Sequence, residues 1–447
     1  MDSLFIWTVR ALNGAAFVYL FASLAFIVAV ALAGRASLTR LSQVASLLMN
    51  LGFIMHTAGL LGRWYIGGIG RPPWTNLYES LIFFAWGIAL FSIISDRKWR
   101  LPVVGLIAAP LVFVLMGMSV MTPVKDVEPL IPALQSNWLK IHVIFGMISY
   151  AGFTLAACFG FLHLMKNNVS LSRIGAGLAL IAFINIGIAG GREIYRTGHF
   201  AMAKTVEREL EDGRKVKVPD QYREYEGATG VLTRMERVPY ANIPFILTEA
   251  LFLVALIGLW LRGGRTRKPG EAHDLGGWPL QAFRAGVLAL IGLFVAIGFG
   301  LRNSESLTLH SNPYLTLLLV LTFFFCVLWL AVAWRFEPFV RALPPAERLD
   351  ELSYKNILFA FPFQTLLLIT GAIWAFSAWG RSWAWDPKEI GAFVTWMAYL
   401  IYLHGKLLMR WKPNFLSVVA IIGFIILIFA FLGVNLVLSG LHTYGST

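Results

Sequence analysis

Residues 379–389 read WGRSWAWDPKE and gather several kinds of chemistry into one short stretch. Trp379, Trp383 and Trp385 stand close together, with Arg381 between them and Asp386, Lys388 and Glu389 just after. Long apolar runs flank the segment on both sides. An indole has an apolar body and one N–H donor, so tryptophan settles where apolar and wet surroundings meet. A few such anchors at a membrane boundary are ordinary, and the run taken alone also fits an aromatic belt. Three indoles edged by charges of both signs suit a flat, amphipathic ligand with a large π face and anionic edges.

Histidine adds a second chemistry. The eight are His56, His142, His163, His199, His273, His310, His404 and His442. Neutral imidazole is a common metal ligand. Two imidazoles can occupy both axial positions of a haem iron, and axial ligands help set its potential. Haem is also a flat ligand with anionic edges.

The elements that must carry these residues are membrane spans. The chain has 447 residues, is 58% hydrophobic and only 14% charged. A soluble domain carries roughly 25% charged residues. A span needs roughly 20 apolar residues. Candidates run over 12–34, 43–62, 77–95, 103–121, 140–165, 174–191, 244–262, 281–301, 313–335, 355–377, 390–408 and 415–437. The expected fold class is therefore all-α, a polytopic membrane bundle of about twelve helices.

Basic residues orient it. Arg35, Arg97, Lys166, Arg262, Arg335 and Lys406 lead clusters that follow alternate spans. Lys and Arg accumulate in cytoplasmic loops, so those loops share the cytoplasmic side and both termini face outward. The net charge of +13 thus gives no argument for nucleic acid. Arg63 and Arg71 lie on the outer side, against the trend. The long polar loop 192–243 is also outside; its charges nearly cancel, and its composition fits either a small cap or disorder. Cys158 and Cys326 stand in apolar runs with no CxxC pair, which argues against a disulfide framework or thiol-redox centre. The first apolar run lacks a clear cleavage site, so no cleavable signal peptide is expected.

This topology brings His142, the tryptophan segment and His442 to one face. His404 falls inside the eleventh span, nearer the cytoplasmic end, and an ionisable residue in a span is a functional hypothesis by default. A lone histidine on a helix is more often a packing residue than a ligand. His163, His273 and His310 are read that way, and His199 as solvated in the polar loop. His56 is intramembrane and ambiguous.

The 379–389 stretch resembles the WWD signature, WGxxWxWDxKE, of haem-handling proteins in cytochrome c maturation. Its context looks most like the CcsA (ResC) family, a subunit of the System II cytochrome c synthase. Supporting motifs are Pro73–Ser80, Trp138–His142, Leu349–Lys355, Phe361–Pro362 leading to Thr370–Trp374, Tyr402–Lys406, Gly433–Asn435 and Leu441–Gly445. The resemblance covers about 1–166 and 349–447. It implies that His142 and His442 are ligands to haem b at the outer face. It implies that His404 is a ligand within the membrane, facing a histidine of a CcsB (ResB)-like subunit. His56 ranks below these. Trp379, Trp383, Trp385, Arg381 and Asp386 would complete the haem site, with Arg381, Lys388 or Arg71 pairing with propionates. Interfacial anchoring is the competing reading for each of those cations. Further implied partners are apocytochrome c, with its CxxCH motif, and a thiol reductant system. The expected location is the bacterial cytoplasmic membrane.

The expected parts are 1–169, an insert at 170–345 that shorter family members lack, and the WWD part at 346–447. No catalytic side chain of the chain's own is implied. Competing readings are a haem exporter or delivery protein of the CcmC or CcmF type and a secondary transporter of another substrate. A membrane-bound haem electron carrier is disfavoured, because two of the three best histidines share one face. Repeated broken helices that would mark a transporter are missing.

Overall fold

The computed structural model describes residues 2–31, 35–68, 70–99, 101–121, 127, 135–167, 170–191, 194–195, 198–209, 215–219, 221–222, 232–233, 235–263, 277–303, 307–308, 313–334 and 336–433. His273, His310 and His442 lie outside them. The apolar runs become helices, and each expected span falls on one. In chain order these are α1 (Asp2–Ala31), α2 (Arg35–Gly67), α3 (Leu77–Trp99), α4 (Gly105–Met121), α5 (Asn137–Lys166), α6 (Leu171–Ile186), α7 (Asn242–Gly263), α8 (Trp278–Asn303), α9 (Pro313–Trp334), α10 (Phe336–Ala342), α11 (Ala346–Trp379), α12 (Pro387–Leu407) and α13 (Pro413–Ile428). Eight of them are long and apolar enough to cross a membrane. Shorter apolar helices cover Gly105–Ser119, Leu171–Ile186 and Thr322–Trp334.

The chain forms two compact units. The first combines Met1–Val169 with Arg335–Thr447. Helix α5 is central to it, packing along α11 and against α3 and α13. The approach of α5 to α11 depends on Gly152, whose added Cβ would stand 2.8 Å from the Ala360 Cβ. Small residues at such crossings let membrane helices meet backbone to backbone. Phe153 of α5 stacks on Tyr399 of α12, with centroids 3.6 Å apart. Lys166, at the end of α5, donates to the carbonyls of Val340 and Leu343 at 2.7 and 3.2 Å, holding α10.

The second unit is Ser170–Trp334. A π-helical turn, Gly187–Gly191, follows α6. Trp329 of α9 donates its indole N–H to the Leu171 carbonyl, 3.2 Å away, and packs on Phe283 of α8. The polar loop between α6 and α7 adds short strands to the helical plan. These are β1 (Ala201–Glu209), β2 (Lys215–Pro219), β3 (Gln221–Tyr222), β4 (Leu232–Thr233) and β5 (Met235–Arg237), with β6 (Leu307–Thr308) beyond α8. β1 is the hub, antiparallel to β2, β5 and β6. β3 pairs with β4.

Candidate functional site

Four helix ends of the first unit build the site. Ser136 starts α5 by accepting from the Trp138 N–H at 3.2 Å, which sets His142 in the second turn. Helix α11 ends at Gly380, where a left-handed φ of 71° turns the chain without the steric cost other residues meet there. Asp386 then starts α12 with a capping box. Its Oδ1 accepts from the Lys388 N–H at 2.9 Å, and Glu389 Oε2 accepts from the N–H groups of Ala384 and Asp386 at 2.7 and 3.3 Å. Pro387 opens that helix with its φ already suited. Residues 380–386 are therefore a built turn between two helices, and Asp386, 6% exposed, serves its geometry.

A cavity of about 250 Å³ opens among these ends. Its lining includes Phe83 and Phe84 of α3, His142 and Met147 of α5, Leu367 and Trp374 of α11, Trp379, Trp383 and Lys388, and Phe431. Sites for drug-sized ligands usually span about 300–1,000 Å³, so this space takes one edge of a large planar molecule.

His142 is held in one chemical form. Its Nδ1 lies 2.9 Å from the Leu367 carbonyl oxygen. A carbonyl only accepts, so Nδ1 carries the proton, and in the neutral ring the lone pair is on Nε2. The ring stacks on Trp374 at 6.1 Å, and Trp374 meets Trp379 edge-on at 5.1 Å. Gly371 makes room for the ring: a Cβ there would lie 2.9 Å from its Cε1 and Nδ1. Trp383 Nε1 is buried with no hydrogen-bond partner among the described residues. Burial pushes the Lys388 ammonium down to about 8, against the pull of Asp386. Among the described residues, no group of three or more His, Cys, Asp or Glu could hold a metal ion. One imidazole beside a tryptophan-lined cleft suits an iron that arrives with its own macrocyclic nitrogens.

Other expected residues lie elsewhere. Trp385 is 69% exposed with a left-handed φ of 58°. It meets Trp383 edge-on and is not in the cavity lining. Arg381 is exposed and outside the lining. Arg71 bonds Thr75 at 2.8 Å and approaches Glu79 at 3.6 Å. Arg63, 2% exposed, meets the same fully buried Glu79 at 2.8 Å. The two arginines that run against the charge trend thus share a buried carboxylate. His56 is fully buried, with Nδ1 3.4 Å from the Tyr19 hydroxyl, and does not line the cavity.

At the opposite end of the bundle, His404 sits in the last turn of α12 and is exposed on the surface of the chain. One turn of the same segment faces inward instead: Lys406 forms an ion pair with Asp350 of α11. The Leu349–Lys355 and Tyr402–Lys406 motifs are therefore in contact. His163 is a packing residue, joining the Ala346 carbonyl and Asn414 at 2.8 and 3.0 Å. Trp374, Gly371 and the Leu367 carbonyl are site components that residue type and spacing did not single out. Trp374 and Gly371 did stand in the quoted Thr370–Trp374 motif.

A family model described as "Cytochrome C assembly protein" matches residues 74–217 and 307–442. The cytochrome c biogenesis protein CcsA of Trichormus variabilis is 27% identical over 441 residues, covering 97% of each chain. CcsA of Nostoc punctiforme is 28% identical over 394 residues, covering 87% of this chain and 84% of its own. CcsA of Pyropia yezoensis is 26% identical over 429 residues, covering 95% and 93%. With alignments this long, residues 170–345 are shared with such relatives, whatever shorter members lack. Among solved structures, a cytochrome c haem lyase CcmF is similar at 14% identity and a TM-score of 0.30, covering 95% of this chain and 77% of that one.

Proposed function

The chain belongs to the cytochrome c assembly protein family, and on that premise we propose that it presents haem b for attachment to apocytochrome c at the outer face of the bacterial cytoplasmic membrane. The observation that carries this reading is His142, its Nδ1–H committed to the Leu367 carbonyl and its ring lining a cavity with Trp374, Trp379 and Trp383. His142 supplies one axial imidazole and His442 the other. About twelve spans, the number expected from span length, with both termini outside put the tryptophan turn on that face. His404, exposed at the far end, supplies one ligand of an earlier site that a CcsB-like subunit completes. Residues 1–169 and 346–447 handle the haem; 170–345 form an insert between them.

Attachment adds one thiol of a CxxCH motif across each of two haem vinyl groups, with thiols kept reduced by a separate reductant system. Both sulfurs come from the apocytochrome, so the buried Cys158 and Cys326 are not required. This chain's side chains bind, orient and shield the cargo, the usual division of labour between protein and cofactor.

The test is covalent haem on a CxxCH reporter co-expressed with the chain and a CcsB-like subunit. Wild-type chain should load the reporter. His142→Ala should not, although it inserts normally, and added imidazole should restore part of the loading by refilling the axial position. Full loading by His142→Ala, without imidazole, would refute the assignment.

A further inference from the structure

The 379–389 turn gives the cavity polar lining, from Ser382, Trp383, Lys388 and Glu389. The Trp383 indole Nε1 is shut off from solvent and meets no acceptor among the described residues, whereas a buried donor normally finds one. Asp386 accepts from the Lys388 backbone and also favours the charged form of its ammonium, while Glu389 accepts from the Ala384 and Asp386 backbones. The other cations considered from the sequence are placed away from the cavity, Arg381 exposed and Arg71 on Thr75 and Glu79. Phe83 and Phe84 of α3 add apolar lining.

We propose that Lys388 and the Trp383 N–H together form the subsite for a carboxylate of the ligand. The planar cargo then enters with its acid edge at the 379–389 turn and its apolar edge toward α3. This rests on the haem reading, in which the carboxylates are the propionates. It assigns their recognition to one cation of the three the sequence offered, and it fixes an orientation. An ammonium pays for burial in this site, and an arriving carboxylate holds it charged. The indole N–H only donates, so its hydrogen bond can go to a carboxylate oxygen and not to a cation.

The experiment uses the full chain in lipid nanodiscs. Haemin and its dimethyl ester are titrated into wild type, Lys388→Gln, Lys388→Arg and Trp383→Phe, and binding is read from the Soret band. Wild type should prefer the free acid by roughly tenfold or more, the size expected of a charge-assisted hydrogen bond. Lys388→Gln should bring the two porphyrins close to equal by weakening only the acid. Trp383→Phe should lower the preference in part, and Lys388→Arg should retain most of it. A full preference surviving in Lys388→Gln would overturn the assignment. So would equal weakening of both porphyrins, which marks a lysine that merely supports the turn. Wild type binding acid and ester equally would overturn this inference and leave the haem reading standing. Wild type binding neither would overturn the haem reading, and this one with it.

Discussion

Gly371→Ala isolates the pose of His142 from its presence. The new methyl would stand 2.9 Å from the ring's Cε1 and Nδ1. Carbon contacts settle at about 3.5–4.0 Å, so the imidazole must withdraw by roughly 0.6 Å or more. Its hydrogen bond to the Leu367 carbonyl is 2.9 Å long, and the same movement stretches it past the ordinary limit of about 3.2 Å. For stability, two terms oppose each other. Alanine inside a helix gains about 0.5–1 kcal/mol over glycine. Overpacking costs about 1–3 kcal/mol. The net loss should be on the order of 1 kcal/mol, and the chain should still fold. Ligand affinity should suffer more, because disturbing the group that orients a metal ligand costs about 10–100-fold. The assay pairs a haemin titration with a thermal melt of the same preparation. A drop of that size in affinity, with only a small shift in melting, is the expected result. Wild-type affinity in Gly371→Ala would show that the ring pose held by Leu367 is irrelevant to binding.

Three further outcomes follow from the same geometry. Glu79→Ala removes the carboxylate that meets the buried Arg63 and should cost about 3–5 kcal/mol; a thermal melt losing less than about 1 kcal/mol would contradict the role given to that pair. Lys388, pushed down to about 8, is charged at pH 7 and neutralises as pH rises through that value. Haemin affinity should therefore fall between pH 7 and 9 in wild type and stay level in Lys388→Arg, and a level wild-type profile would count against a lysine anchor. His404→Ala alters an exposed side chain and should change stability by no more than about 0.5 kcal/mol. It should lower copurified haem only when a CcsB-like subunit is co-expressed, and an equal loss without that subunit would mean the ring works within this chain alone.

The helices were legible because a bilayer demands long apolar runs, and every run expected from composition falls on a helix. Rotation of those helices was not. Where lipid and protein interior are equally apolar, a span carries little amphipathic pattern to say which side faces in. His404 read as an intramembrane histidine, yet its outward direction needed coordinates, as did the separation of Lys388 from Arg381 and Arg71. The place of His142 at the head of a span was legible; a ligand role for it came only with the family resemblance. The carbonyl that fixes its tautomer was not legible, since a backbone group has no residue-type signal and Leu367 lies far along the chain. The strands at 201–237 escaped because mixed charge hides the alternation that marks a strand.

The turn at 380–386 bears on how such sequences are recognised. Gly380, Asp386, Pro387 and Glu389 supply backbone shape, and Trp385 adopts an unusual φ there; only Trp379, Trp383, Lys388 and Glu389 of the signature border the cavity. A pattern search for WGxxWxWDxKE thus weighs architecture as heavily as cargo. Chains diverging at Trp383 and Lys388 while keeping the glycine, the Asp-Pro pair and the glutamate would still score as relatives, with the bend intact and a different molecule, or none, held beneath it.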